Sequence, residues 1–364
     1  MQHFFIPTKI HFGTGCLTAN GQEMSTLGTK AFIVTGARSA KLSGALDAVT
    51  TTLKDNNITW EMFDAVQENP LLSTVTAGAD RFTQTGCNFF IGIGGGSPID
   101  AAKAMSAMAK CQLHGQEMYN ASLITQAWPI VAVPTTSGTG TEATPYSIVT
   151  DDQRGVKAGV GAPVLFPAIS FCDPAFTTSL PARQTRDTAI DALSHLLEGI
   201  YSAKRQPMLY PIIFDGIKRI VSSLPQVLKH PESTELRGEL MLASLYGGMV
   251  IAHTSTTLQH SIGYPLTSEL GAAHGLANGV VMQQIMDLYY PSVELELDQL
   301  FSWLKMSRSD FYAWLKQFEL KLDAPVTIDF IEHRAEEVLN SRNMANNPFE
   351  IGISTIKALY RSLM

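Results

Sequence analysis

Strands alternating with helices in the first half of the chain, and long helical patterns almost alone in the second, predict an α/β domain followed by an all-helical domain. The strand signal is the set of short runs Lys30–Thr35, Trp60–Asp64, Asn88–Ile93 and Pro129–Val133, mostly apolar, rich in β-formers and bounded by turn residues. Helical patterns over Ser39–Leu53 and Ser73–Gly86 separate the first three, which implies a parallel sheet covered on both faces. Past Phe171-Cys-Asp-Pro174 and Ser179-Leu-Pro181 the patterns become long and helical, over Asp187–Lys204, Pro211–Leu224, Glu235–Ala252, Glu294–Leu304 and Ser309–Leu320. The shift in composition near residues 175–182 predicts two domains, 1–178 and 179–364, with a cleft between them.

The length supports that division, since 364 residues exceed what one core usually holds. A net charge of −7 and the lack of any Lys/Arg-rich run argue against a nucleic-acid partner. The four cysteines, Cys16, Cys87, Cys111 and Cys172, are scattered without a CxxC pair, as expected of buried small hydrophobes in a reducing cytosol. Met1-Gln-His-Phe-Phe-Ile-Pro7 lacks the regions of a signal peptide, and no apolar run approaches the ~20 residues that span a bilayer. The expectation is a soluble cytoplasmic protein with no membrane partner.

Two glycine-bearing turns sit at strand ends. Gly92-Ile-Gly-Gly-Gly-Ser97 follows a strand and leads into Pro98-Ile-Asp100-Ala-Ala-Lys103. Ser97 fits an N-cap, Pro98 the first helical position, and Asp100 a capping-box-like spacing. Consecutive glycines let a backbone approach a ligand, and a helix start offers free N–H groups, so the turn reads as a phosphate cradle or as a tight strand-to-helix turn. The second turn, Val133-Pro-Thr-Thr-Ser-Gly-Thr-Gly-Thr-Glu142, packs hydroxyls and glycines behind a strand. It suits hydrogen bonds to a ribose or nicotinamide amide, or forms a polar loop. Neither turn has the Gly-Lys-Ser/Thr of a Walker A sequence.

Asp191-Ala-Leu-Ser-His195 places a carboxylate and an imidazole four positions apart, on one face of a helix. His260 and His274 follow. A carboxylate with imidazoles suits a divalent first-row metal, although spacing alone does not bring the later histidines to the first pair.

Taken together, Gly94-Gly-Gly-Ser97-Pro-Ile-Asp100-Ala-Ala-Lys103, Pro134-Thr-Thr-Ser-Gly-Thr-Gly-Thr-Glu142, Asp173-Pro174, Asp191-Ala-Leu-Ser-His195, and His260 through His274-Gly-Leu-Ala-Asn278 resemble the iron-containing (group III) alcohol dehydrogenases over nearly the whole chain. The resemblance implies a Rossmann-like N-terminal domain and an all-helical C-terminal one, the fold shared with dehydroquinate synthase. It implies metal ligation by Asp191, His195, His260 and His274, with Fe²⁺ as the metal and Zn²⁺ as a possible occupant. It also implies a pyrophosphate held by Gly94, Gly95, Gly96 and Ser97, with Asp100 in the same motif. Thr135, Thr136, Thr139 and Thr141 would line the adenosine and nicotinamide side, with Lys157 nearby. The implied reaction is hydride transfer between a nicotinamide and an alcohol or aldehyde whose oxygen the metal polarises, in a homo-oligomer such as a dimer.

Three departures from the family pattern qualify this. Tyr264 stands where relatives commonly carry a second histidine beside the nicotinamide; its phenol can donate a proton, with an unperturbed pKa near ~10. His253 replaces a small or amide residue and is expected to be structural. Gly36-Ala-Arg38-Ser39 replaces the strand-end Asp of NAD-preferring relatives, so the loss of that carboxylate and the gain of Arg38 and Ser39 favour NADP over NAD. The segment around Tyr264-Pro-Leu-Thr also resembles the phosphonoacetaldehyde reductases, which would make the substrate an anionic aldehyde. A cyclising lyase of the dehydroquinate synthase type is the competing enzyme class, though its phosphorylated acid would require more Lys and Arg. A non-catalytic nucleotide- and metal-binding module is the third reading.

Overall fold

In the computed structural model, which describes residues 2–364, the first half of the chain forms a six-stranded parallel sheet. Its strands are β1 (Lys9–Phe12), β2 (Lys30–Thr35), β3 (Thr59–Phe63), β4 (Phe89–Gly94), β5 (Ile130–Pro134) and, after a separate antiparallel hairpin of β6 (Tyr146–Asp151) and β7 (Val156–Gly161), β8 (Ile169–Cys172). The spatial order is β1-β8-β5-β4-β2-β3. The helices of this half are α1 (Cys16–Asn20), α2 (Ser39–Leu42), α3 (Ala45–Asp55), α4 (Leu72–Thr85) and α5 (Gly96–Cys111). Side chains of β2 and β4 alternate between two cores, as the period of a strand requires. Phe32, Val34 and Phe90 pack with Val75 and Phe82 of α4 and Met105 of α5, whereas Ala31, Ile33, Phe89 and Ile91 pack with Leu46, Val49 and Leu53 of α3.

The second half comprises α6 (Ala182–Tyr201), α7 (Tyr210–Val227), α8 (Thr234–Thr254), α9 (Leu258–Ser268), α10 (His274–Gly279), α11 (Met282–Tyr289), α12 (Glu294–Leu304), α13 (Arg308–Lys316), α14 (Ile328–Leu339) and α15 (Ile353–Arg361). Every residue from Ala189 to Tyr201 is buried, so α6 is the axis around which α7, α8 and α10 pack. The change from sheet to helix falls between Cys172 and Ala182. No helix among the described residues is long and apolar enough to cross a membrane.

Several expectations need correction. The single helix over Ser39–Leu53 is two, because Gly44 adopts a left-handed conformation (φ +76°) between α2 and α3. Ser97 is not the N-cap of α5: the helix begins earlier, with Gly95 at the cap and Pro98 two residues inside, so Asp100 completes no capping box. Similarly, α13 is capped by Ser307, which forms a reciprocal pair with Asp310. The strands β1 and β8, the β6–β7 hairpin and helices α9, α10, α11, α14 and α15 are absent from the expectations above, although α11, α14 and α15 do carry an apolar face at helical spacing. Four-residue strands, Gly159 and Gly161 in the hairpin, Pro265 inside α9 and the six-residue length of α10 explain the other absences.

Candidate metal and cofactor site

Asp191 and His195 project from one face of α6, His260 comes from α9, and His274 opens α10. One close backbone approach lets α10 reach α6. A Cβ on Gly275 would lie 1.8 Å from the Asp187 carbonyl oxygen, so only glycine seats His274 beside Asp191. The ligand-capable atoms of Asp191, His195 and His260 lie within 4.8 Å of one another, all buried. Asp191 Oδ1 is 3.8 Å from His260 Nε2 and 3.8 Å from His274 Nε2. Two donors on one ion at ~2.0–2.2 Å each are at most ~4.4 Å apart, so these pairs are within reach of a shared ion.

The Asn278 amide shows where the donors converge. Its Nδ2 donates to Asp191 Oδ1 at 3.0 Å and lies 3.1 Å from His260 Nε2 and 3.5 Å from His274 Nε2. A carboxylate oxygen and two imidazole nitrogens aimed at one point form, with both nitrogens unprotonated, a set that a cation satisfies. Burial alone would raise the Asp191 carboxyl, but His195, His274 and His260 outweigh it and hold the group ionised below its ordinary range. Burial pushes His195 down, and His274 further, which favours the neutral imidazole a metal requires. These residues fit a divalent ion.

Glu198 escaped the sequence reading. It is fully buried on α6, and its Oε2 accepts a hydrogen bond from His260 Nδ1, while its Oε1 accepts from Thr257 N at 2.6 Å and Thr257 Oγ1 at 2.8 Å. With Nδ1 carrying that proton, Nε2 of His260 is the atom left facing the cluster. The available signal was its position, seven residues after Asp191 and three after His195, on the same helical face.

The two glycine-bearing turns meet above α6. A Cβ on Gly95 would come within 3.2 Å of the Thr136 methyl and one on Gly96 within 2.9 Å of the Thr139 methyl, so the turns are in contact. Thr135 Oγ1 and Ser137 Oγ are buried without a partner among the described residues. Thr141 points the other way: its hydroxyl donates to Asp100 Oδ1 at 2.5 Å, while Asp100 Oδ2 accepts from Ile148 N at 3.1 Å. Asp100 and Thr141 therefore brace the turn from behind. Ser97 Oγ accepts from Asn69 N, and Asn69 Oδ1 accepts from Lys157 Nζ at 2.8 Å. Lys157 lies on β7, with its ammonium 5.8 Å from the centre of the Tyr264 ring. Burial lowers its pKa, opposed by Asp191 and Asp100.

The Tyr264 ring stacks on His274 at 5.7 Å, and burial pushes its phenol up, so it stays protonated at neutral pH. Gly36 follows β2 directly and is half-buried, with Arg38 and Ser39 exposed after it. His253 does not reach the site. Its Nε2 accepts from Phe5 N at 2.8 Å, and its ring stacks on Phe4, fastening the N-terminal segment to α8.

The sequence and the fold, taken as a whole, resemble those of known proteins. The iron-containing alcohol dehydrogenase profile matches residues 7–174, and the profile for the C-terminal part of the Fe-containing alcohol dehydrogenases matches residues 185–364. The chain belongs to the iron-containing alcohol dehydrogenase family. An iron-containing alcohol dehydrogenase from Thermotoga maritima has the same fold, with a TM-score of 0.94, 34% identity, and coverage of 100% of this chain and 99% of that one. The long-chain primary alcohol dehydrogenase AdhA of Thermoanaerobacter ethanolicus is 30% identical over 80% of this chain and 75% of its own length. A sulfoacetaldehyde reductase of Bilophila wadsworthia is 29% identical over 76% and 71%. The chain is an oxidoreductase acting on alcohols or aldehydes, of a family that implies iron and NAD(H).

Proposed function

We propose that this enzyme is an aldehyde reductase that takes its hydride from NADPH in preference to NADH, with iron held by Asp191, His195, His260 and His274 and zinc as an alternative occupant. The observation that carries the reading is the convergence of three of these donors on Asn278 Nδ2 beside Tyr264 and Lys157. Iron, when bound, supplies Lewis-acid polarisation of a carbonyl oxygen, and the nicotinamide supplies the hydride. The chain's own residues do the rest. Glu198 orients His260, Tyr264 walls the site and holds a proton it can donate, and the Gly94–Ser97 turn offers backbone N–H groups to a pyrophosphate. The exposed Arg38 has no carboxylate partner among the described residues, which leaves its guanidinium available to a 2′-phosphate.

Four cysteines without a disulfide support a cytoplasmic location. The open backbone edge of β1 supports a homodimer. The half-buried Lys157 ammonium, together with the sulfoacetaldehyde reductase among the relatives, favours an anionic aldehyde as a second reading of the substrate.

The deciding experiment follows NADPH and NADH oxidation by anaerobically Fe²⁺-reconstituted protein, with neutral, sulfonate- and phosphonate-bearing aldehydes. Chelator-sensitive turnover with NADPH is expected. Faster turnover with NADH would reverse the cofactor preference, and chelator-insensitive turnover would remove the metal from the mechanism.

A further inference from the structure

Lys103 lies one turn after Asp100 on α5 and is wholly buried. Its ammonium faces five oxygens, all from one stretch of six residues: Thr141 O at 2.6 Å, Thr141 Oγ1 at 2.7 Å, Thr144 O at 2.9 Å, Thr144 Oγ1 at 3.4 Å and Tyr146 O at 2.9 Å. An ammonium has three protons, so this shell exceeds a set of ordinary one-to-one hydrogen bonds. Carbonyl and hydroxyl oxygens closing around a point charge resemble the cage that strips a monovalent cation of its water. Burying an ammonium is costly, and here burial pulls its pKa down to about 8, with Asp100 and Glu142 opposing. It remains protonated at neutral pH.

The position of the cage gives it a role. The residues it gathers run from the end of the threonine-rich turn to the start of the hairpin whose second strand carries Lys157. Asp100 fastens the same stretch from the previous turn of α5: its carboxylate accepts from Thr141 and Ile148, and its carbonyl from Ser147 Oγ at 2.8 Å. The first turn of α5 is the glycine-rich cradle. Three segments read as cofactor contacts are thus held in register by two turns of one helix, with the Lys103 cation at the junction. None of the four proposed metal ligands touches it.

We infer that Lys103 is a built-in monovalent cation, a positioning residue whose ammonium fixes the Thr141–Tyr146 stretch in the form that receives the nicotinamide cofactor. When the side chain is cut back, the cage becomes a site for ammonium or potassium. The inference rests on the reading of the threonine-rich turn as a cofactor contact.

The test uses full-length Lys103→Met, which keeps the apolar stem and omits the ammonium, and Lys103→Ala, which removes both. NADH and NADPH dissociation constants are measured by fluorescence titration in tetramethylammonium buffer, then with added ammonium, potassium or lithium. In tetramethylammonium the variants are expected to bind cofactor about tenfold or more weakly, given the ~1.5–3 kcal/mol of hydrogen bonds to a charged group. Ammonium and potassium restore most of that loss, lithium does not, and kcat at saturating cofactor stays near wild type. A variant that folds only with ammonium or potassium meets the same expectation. Unchanged cofactor affinity in a folded variant, weakened affinity that no cation restores, or failure to fold in every salt alike would overturn the inference. Separately, wild-type protein that binds neither cofactor would overturn the reading of the turn, while cation rescue of the variants' thermal midpoints would still report on the cage.

Discussion

The two halves of the site are built by different means. On the sheet side, cofactor recognition is assigned to backbone: glycine-bearing turns at the ends of β4 and β5, braced by the buried side chains of Asp100, Lys103 and Thr141. On the helical side, the chemistry is assigned to side chains. Asp191, His195, His260 and His274 arrive from three helices, and Glu198 sets the orientation of one of them. The sheet side uses buried charge to hold a loop still; the helical side aims its buried charge and imidazoles at one point. Damage to one half should therefore leave the other measurable.

The largest test of that separation is His260→Ala. Turnover is expected to fall by about a thousandfold or more, roughly 4 kcal/mol of barrier, while NADPH affinity measured by fluorescence titration stays near wild type. A parallel loss of cofactor affinity would show that the halves are not independent.

Glu142 probes the sheet side. Its Oε1 is buried without a partner among the described residues, and burial pushes its carboxyl up to about 7, with Lys103 opposing and Asp100 reinforcing. The folded chain therefore keeps a proton that an unfolded one, near 4.5, has released. Stability should fall as pH rises from about 4.5 to about 7 and level off above that window, by up to ~1.4 kcal/mol for every tenfold difference in proton affinity between the folded and unfolded chain. Glu142→Gln is expected to flatten this slope relative to wild type in urea unfolding across that range. An identical slope in both proteins would assign the pH dependence elsewhere.

Glu198→Gln keeps the shape but weakens the acceptor for His260 Nδ1–H. Metal affinity, measured by competition with a chelating dye, should drop by about 10–100-fold, with cofactor affinity unchanged. The smallest effect concerns the adenosine end. Gly36→Asp is expected to move the NADPH-to-NADH ratio of kcat/KM by about tenfold toward NADH. A Cβ at that position comes within 3.0 Å of Val66 O, so the thermal midpoint is compared alongside. An unmoved ratio in a folded variant would place cofactor discrimination away from Arg38 and Ser39.

Much of the first half was legible because its signals are local. The strand Asn88–Ile93 and the glycines that follow it are contiguous, so pattern and turn chemistry locate β4 and the cradle to within a residue or two. The cap was misplaced because three adjacent glycines leave the helix start to tertiary packing rather than to Ser97. The four proposed metal ligands were named from the resemblance, and their convergence followed only when α9 and α10 were placed on α6. The tight fit at Gly275 that permits this could not be read from its neighbours in the chain.

The sequence alone determined the alternation of strand and helix, the two glycine-bearing turns, the i, i+4 placement of Asp191 and His195, and the absence of an acid at Gly36. Those features depend on residues within a few positions of one another, where backbone period and turn chemistry act. Tertiary structure decided that Asp100 and Thr141 brace the turn from behind, that Lys103 lies in an oxygen cage, that Glu198 holds His260, and that His253 fastens the N-terminal segment. Each of those pairings joins segments far apart in the chain, and all but the exposed His253 contact depend on burial. A buried charge must find a partner, and which partner is near is fixed by packing rather than by sequence separation.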